Sequence, residues 1–177
     1  MTVSDETLAL AAAGGDREAF GQLILRLHDR IFRLAFRLTG SRADAEDLTQ
    51  DICAALPAKL QGYRGEASVT TWLYRITVNA SRDRFRRLGT HARAADGWGD
   101  WEIARRAEAA ETAERLDWLR LAMDRLTPPE LRETVVLVLE GLSHAAVAEV
   151  LGVSEGTVSW RMSEAKKKLK QMLEAEA

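Results

Sequence analysis

One stretch leaves this chain little freedom: a single glycine, Gly152, set between two helical patterns that each carry their own start signal. Upstream, Ser143 is a good N-cap, because its short side chain can accept an N–H that the first helical turn leaves without a partner. Val147, Val150 and Leu151 follow at helical spacing. Gly152 stops that helix, Val153 turns inward and Ser154 caps the next one. In the second helix Val158, Met162, Ala165 and Leu169 recur at i, i+4, i+7 and i+11, so they share one face, the buried one. Glu155, Gly156, Ser159, Trp160, Ser163 and Lys167 are thereby left facing out.

A short helix, a glycine turn, small polar residues opening the next helix and then a lysine run make a helix-turn-helix pattern. Such a second helix enters the major groove by its N-terminal end, where short side chains allow close approach to base edges. From Arg161 to Lys170 the count is four lysines and one arginine against Glu164, a local charge of +4 that suits phosphate anchoring. Glu155, Thr157, Ser159, Trp160, Ser163, Lys167 and Lys170 are the candidate DNA contacts. Arg161 flanks the buried face and is expected to act within the fold. The competing reading is an ordinary α-hairpin with a solvated basic face.

The 177 residues allow one large or two small domains, and an apolar content of 46% supplies real cores. With three prolines, long helices are unobstructed. No apolar run approaches the length of a membrane span and no basic segment leads into a hydrophobic block, so neither membrane insertion nor a secretory signal is expected. Cys53 is the lone cysteine, which excludes an intrachain disulfide and fits a reducing cytoplasm. A net charge of −2 is awkward for a nucleic-acid binder, and the answer must lie in where the charges sit.

Along the chain, residues 4–14 read as a short amphipathic helix ended by Gly14 and Gly15. Asp16 caps a longer helix to Leu38, with Phe20, Leu23, Ile24, Leu27, Ile31, Leu34, Ala35 and Leu38 as its apolar stripe, and Gly40 ends it. Ser41 to Asp44 resembles a capping box opening a helix to about Lys59, which buries Ala45, Leu48, Ile52, Ala55 and Leu56. Asp44, Asp47 and Asp51 line its other side with Gln50 beside them. Four acids against Arg42 make 42–51 a −3 segment, suited to a basic protein partner or to solvent. A polar loop with two glycines, 61–71, leads into a helix holding Trp72, Leu73, Ile76 and Ala80 inward. Arg75, Asn79, Arg82, Asp83 and Arg86 share its outer face, and 75–93 carries six arginines and one aspartate. A basic stripe holding an Asn and an Asp can hydrogen-bond bases as well as phosphates. Beside a loop containing Tyr63, it suits single-stranded DNA, whose bases can be splayed out and stacked.

SHAAVAEVLGVSEGTVSWRMSEAKKKL resembles the −35-reading half of bacterial extracytoplasmic-function sigma factors, members of the sigma-70 family. DAEDLTQDI resembles that family's region 2.2, and YRGEASVTTWLYRITVNASRDRFRR its regions 2.3 and 2.4. The resemblance covers about 5–173, and it implies an all-α chain of two small helical domains joined by a flexible linker: 1–88, linker 89–111, and 112–177. It implies that Asp44, Asp47, Gln50 and Asp51 dock on the polymerase β′ clamp helices. It implies that Tyr63, Arg64, Trp72, Asn79, Arg82, Asp83, Arg86 and Arg87 recognise and melt a −10 element, and that the helix-turn-helix reads a −35 element. The implied partners are core RNA polymerase, through the β′ clamp helices and β flap, and promoter DNA; an anti-sigma protein is a common further partner in the family. Basic DNA faces offset by an acidic partner face and an acidic linker then account for the net charge.

The linker carries Gly89, Gly97 and Gly99, and also Trp98 and Trp101, which are unusual in a polar segment. Beyond it, Leu116, Leu119, Leu121, Met123 and Leu126 mark a helix, and Thr127 is the expected cap of the next one after it. VVLVLE scores as a strand by β-branching, but with no partner strand it is expected to be a buried helix. No phosphate-gripping loop, Ser–His–acid set or metal motif is present, so an enzyme, a metal centre and a cofactor are not expected. Two alternatives stay open: a free-standing helix-turn-helix regulator of duplex DNA, and a polymerase adaptor or decoy that binds no DNA.

Overall fold

The structure, a computed structural model, describes residues 3–88, 118 and 121–176. The expected linker, with Trp98 and Trp101, lies outside the described residues. Seven helices can be bounded among them, α1 (Asp5–Ala13), α2 (Arg17–Thr39), α3 (Arg42–Leu60), α4 (Val69–Leu88), α5 (Pro129–Leu139), α6 (His144–Leu151) and α7 (Glu155–Glu176), and residues 121–124 ahead of α5 are helical as well. There is no strand among the described residues. The helices belong to two compact units, α1–α4 in the first and α5–α7 in the second.

In the first unit the caps fall where the residue chemistry places them. The Ser4 side chain accepts from the Thr7 N–H at 3.1 Å. Asp16 accepts from Glu18 and Ala19 at 2.9 and 3.0 Å and so starts α2. Along α2, Leu23, Leu27, Ile31, Leu34, Ala35 and Leu38 are buried against α1 and α4. Each fully buried leucine contributes about 1.5–3 kcal/mol relative to exposure. Arg26 and Arg30 tie α2 to Asp5 of α1 at 3.1 and 3.8 Å, and Arg30 also reaches the Thr70 hydroxyl at the start of α4.

α4 begins earlier than its apolar spacing implies. The Ser68 hydroxyl accepts from the Thr71 N–H at 3.1 Å, so Val69 is already helical and the preceding loop is 61–68. The cap chemistry outweighs the low helix propensity of Val69, Thr70 and Thr71.

In the second unit α5 packs on α6 and α7, and α6 packs on α7. VVLVLE is helical, as the lack of a partner strand required. Val135 to Leu137 are buried with Leu131 one turn earlier, whereas Leu139 is 57% exposed and Glu140 is the C-cap. The N-cap of α5 is Pro128, not Thr127, and Pro129 takes the first helical position, where its missing N–H costs nothing. Arg132 and Asp124 form a largely buried pair at 2.8 Å, each side chain 13% exposed. Burial pushes the Arg132 pKa down, and Asp124 opposes that shift.

Candidate nucleic-acid interface

The helix-turn-helix is assembled as its caps demand. The Ser143 hydroxyl accepts from the Ala146 N–H at 3.2 Å and the Ser154 hydroxyl from the Thr157 N–H at 3.1 Å. Gly152 sits at φ 67° and ψ 38°, the left-handed conformation in which any Cβ is strained. Its N–H reaches the Ala148 carbonyl, and the Val153 N–H reaches the same carbonyl at 3.0 Å, so the chain turns within two residues.

The inner face of α7 is Val158 and Ala165, fully buried, with Met162 and Leu169 half-buried. Glu155, Ser159, Trp160, Ser163, Lys167 and Lys170 are exposed together on the opposite side. Trp160 is 62% exposed, an unusual state for the largest apolar side chain. Thr157 is half-buried and its hydroxyl lies 2.9 Å from that of Ser154, inside the cap. Arg161 is half-buried on the flank. Lys170 pairs loosely with Glu174, while Lys168 donates to the Thr127 carbonyl at 2.7 Å and fastens α7 to the start of α5.

His144, the first residue of α6, also reaches the recognition helix. Its Nδ1 lies 3.1 Å from the Ser159 Oγ, linking the first residue of α6 to a candidate base contact. The separation of 15 residues spans the glycine turn, so only the folded turn brings the two together.

In the first unit, α4 exposes Arg75, Asn79, Asp83, Arg86 and Arg87, with Arg82 half-buried beside them. Arg86 donates to Asp83 at 2.6 Å, and the Arg87 Nε to the Asp83 carbonyl at 3.4 Å. Arg64 is exposed on the loop. Tyr63 corrects the expected picture of an open stacking ring. It is 6% exposed, its hydroxyl donates to the Ala67 carbonyl at 2.9 Å, and its ring lies tilted 5.3 Å from that of Trp72. Burial, with Glu6 adding to it, raises its phenol pKa. Tyr63 here shapes the loop from inside. Gly65, at φ 76°, lets the loop pass under Leu10 of α1. Trp72, read as inward, is half-buried.

The acids of α3 divide. Asp47, Gln50 and Asp51 are exposed, whereas Asp44 is half-buried. Asp44 and Asp47 do not simply face out: Arg84 of α4 donates to the first at 2.6 Å and to the second at 3.2 Å. The Arg84 pKa is raised, chiefly by the Asp44 hydrogen bond. Sequence reading had no signal for this contact, because 40 residues separate Arg84 from Asp44. Between α3 and α4 runs a groove of about 370 Å³. Leu48, Ile52 and Trp72 are among its apolar lining and Asp51, Asn79 and Arg87 among its polar lining. Asp51 alone of the acidic set of α3 therefore borders the same depression as Arg75, Asn79, Asp83 and Arg87 of α4.

Among the described residues no three His, Cys, Asp or Glu side chains gather in a way that would hold a metal. No described helix is long and apolar enough to cross a membrane.

Two helical units, one presenting a capped helix-turn-helix and the other a basic helix beside an acidic one, define a DNA-binding protein with a protein-docking face. Comparison with known proteins gives the family. The Sigma-70 region 2 family matches residues 23–90 and the Sigma-70 region 4 family residues 116–169. The ECF RNA polymerase sigma factor SigM of Mycobacterium tuberculosis is 39% identical over 171 residues, 96% of this chain and 85% of that protein. The RNA polymerase sigma factor CnrH of Cupriavidus metallidurans is 32% identical over 185 residues, 98% of this chain and 96% of that protein. The solved structure of CnrH in complex with the cytosolic domain of CnrY superposes with a TM-score of 0.72 at 28% identity, covering 98% of this chain and 99% of that one. The chain belongs to the extracytoplasmic-function group of the sigma-70 family. It is an alternative sigma factor, serving transcription initiation with core RNA polymerase on promoter DNA.

Proposed function

We propose that the residues divide the promoter as follows. The exposed row of α7, Glu155, Ser159, Trp160, Ser163 and Lys167, with Thr157 shaping its start and Lys170 on phosphate, reads the −35 element as duplex. Asn79, Arg82, Asp83, Arg86 and Arg87 of α4, with Arg64 of the loop and the Tyr63–Trp72 pair behind them, take the −10 element as melted strand. Asp47, Gln50 and Asp51, with Asp44 behind them, dock on the β′ clamp helices of core polymerase. The second unit meets the β flap. The chain supplies recognition and the polymerase supplies the chemistry, in the cytoplasm. Because the solved relative CnrH is held by the cytosolic domain of CnrY, an anti-sigma protein is a fitting further partner here.

The observation that carries this reading is that one unit exposes Asp47, Gln50 and Asp51 on α3 and DNA-type side chains on α4, with Asp51, Asn79 and Arg87 lining one groove. A duplex-only regulator has no use for that pairing, and a decoy has no use for the recognition helix. Reversing charge at Asp47 and Asp51 is expected to weaken association with core polymerase in a pull-down while the fold persists, since Asp51 is exposed and the partly exposed Asp47–Arg84 pair contributes about 0–1 kcal/mol. Promoter-specific transcription in vitro should fall in parallel. A folded double variant that binds core with unchanged affinity removes α3 from the docking face.

A further inference from the structure

We propose that His144 is a positioning residue for −35 recognition: its ring nitrogen fixes whether the Ser159 hydroxyl presents a donor or an acceptor to a base edge. The inference rests on the role proposed above for Ser159 and deepens it. Three observations carry it. First, the His144 Nδ1 lies 3.1 Å from the Ser159 Oγ, and both residues are exposed, so the pair stands where DNA can reach it. Second, among the described residues this is the one side-chain hydrogen bond that either of them makes. The neighbouring Ser143 does not compete for it, since its hydroxyl holds the Ala146 N–H. Third, Ser159 departs from the habit of the other helical hydroxyls. Thr49, Thr77 and Thr134 each donate to the carbonyl one turn back, at 2.6, 2.9 and 2.7 Å. Such a back-bond uses up the hydroxyl hydrogen within its own helix. Ser159 makes none, and its hydroxyl turns to the other helix of the pair.

The consequence follows from donors and acceptors. A serine hydroxyl has a single hydrogen and two lone pairs, and an imidazole Nδ1 either carries a hydrogen or offers a lone pair. When Nδ1 accepts, the Ser159 hydrogen is spent and only lone pairs face the base. That suits the amino groups of adenine and cytosine. When Nδ1 donates, it occupies a lone pair and the hydroxyl hydrogen turns outward. That suits O6 and N7 of guanine or O4 of thymine. A serine with no such partner bonds to either kind of edge and discriminates poorly. His144, which lies outside the recognition helix, thereby sets what a residue on that helix reads.

The test is His144→Asp and His144→Lys in the full chain, each alone and combined with Ser159→Ala. Binding to a panel of single-base −35 duplexes is read by fluorescence anisotropy. An Asp carboxylate only accepts and a Lys ammonium only donates. At the position where Ser159→Ala alters base preference, His144→Asp is expected to favour adenine or cytosine and His144→Lys guanine or thymine. The two variants should differ in that ratio by about two- to tenfold, the worth of one hydrogen bond, with the unsubstituted chain at or between them. Their opposite charges change affinity for every duplex alike, and so does any unfolded fraction, so the ratio between duplexes isolates the effect. In the Ser159→Ala background the difference between the two variants should vanish. A difference that persists there means residue 144 meets the DNA itself, and overturns the proposal. So does an absent or reversed difference while Ser159→Ala alone changes preference; the base contact by Ser159 then stands without His144. If Ser159→Ala leaves every base preference unchanged, the reading role of Ser159 falls, and positioning by His144 falls with it.

Discussion

Ser159, Ser163 and Lys167 share an exposed face of α7, yet in the proposed interface their chemistry suits them to different work. A hydroxyl near the helix start discriminates between donors and acceptors on base edges, whereas an ammonium further along sees only phosphate charge. Lys167→Ala is expected to weaken −35 binding evenly across sequences and to make the salt slope shallower by roughly one unit. Ser159→Ala or Ser163→Ala should change which −35 bases are preferred, by about 1–3 kcal/mol for a lost specific contact. Binding to a panel of single-base −35 variants at two salt concentrations decides between these. A lysine variant that shifts base preference would mean the helix lies in the groove the other way round. Cys53 shows the same dependence on surroundings. Burial raises its thiol pKa, so little thiolate forms near neutrality, and Ellman's reagent should react far more slowly with the native than with the unfolded chain. The fold holds that proton more tightly than the unfolded chain does. Its contribution to stability is therefore full at neutral pH and is lost as pH rises from about 8.5, the unfolded thiol's pKa, through the higher folded value.

At the scale of the element, stability concentrates at helix ends. The turn between α6 and α7 leaves no room for error, since Gly152 alone supplies the left-handed residue and Ser154 alone caps the recognition helix from its side chain. Gly152→Ala should destabilise the chain by about 1 kcal/mol, from the Cβ penalty in that conformation. Ser154→Ala should cost a similar amount, about 1 kcal/mol, by orphaning the Thr157 N–H. Urea unfolding measures both. An alanine at 152 that is neutral would show that the turn relaxes to another shape. Elements also explain the two departures from pattern. Ser68 lengthens α4 by capping it so that it starts at Val69, three residues before the apolar repeat begins at Trp72, and the proline pair shifts the α5 cap onto Pro128.

Across the whole molecule, charge is sorted rather than balanced locally. A chain of net charge −2 presents lysines on α7 and arginines on α4, with acids on α3. The two helices proposed to read DNA, α4 and α7, lie in separate compact units, so their losses should be separable. Asn79→Ala is expected to impair promoter opening or −10 discrimination while −35 duplex binding persists, because Asn79 belongs to the first unit and the helix-turn-helix to the second. Permanganate footprinting on wild-type and base-substituted promoters reads the first effect, and gel shift on −35 duplex the second. Normal opening with unaltered base preference would remove Asn79 from the strand site.

What was legible in the linear chain is what depends on neighbours a few residues apart. Caps at Asp16, Ser143 and Ser154, the turn at Gly152, the buried face of α7 and the exposed row on α4 all follow from local hydrogen bonding and a period of about 3.6 residues. The helical state of VVLVLE was legible too, by the absence of anything for a strand to pair with. Tertiary structure alone decided what depends on which helix stands beside which. It turned Tyr63 in against Trp72, set His144 on Ser159 across the turn, and gave Asp44 and Asp47 to Arg84 from 40 and 37 residues away. A polar residue's phase on its own helix tells whether it leaves the core, but not whether another element's charge is waiting for it there.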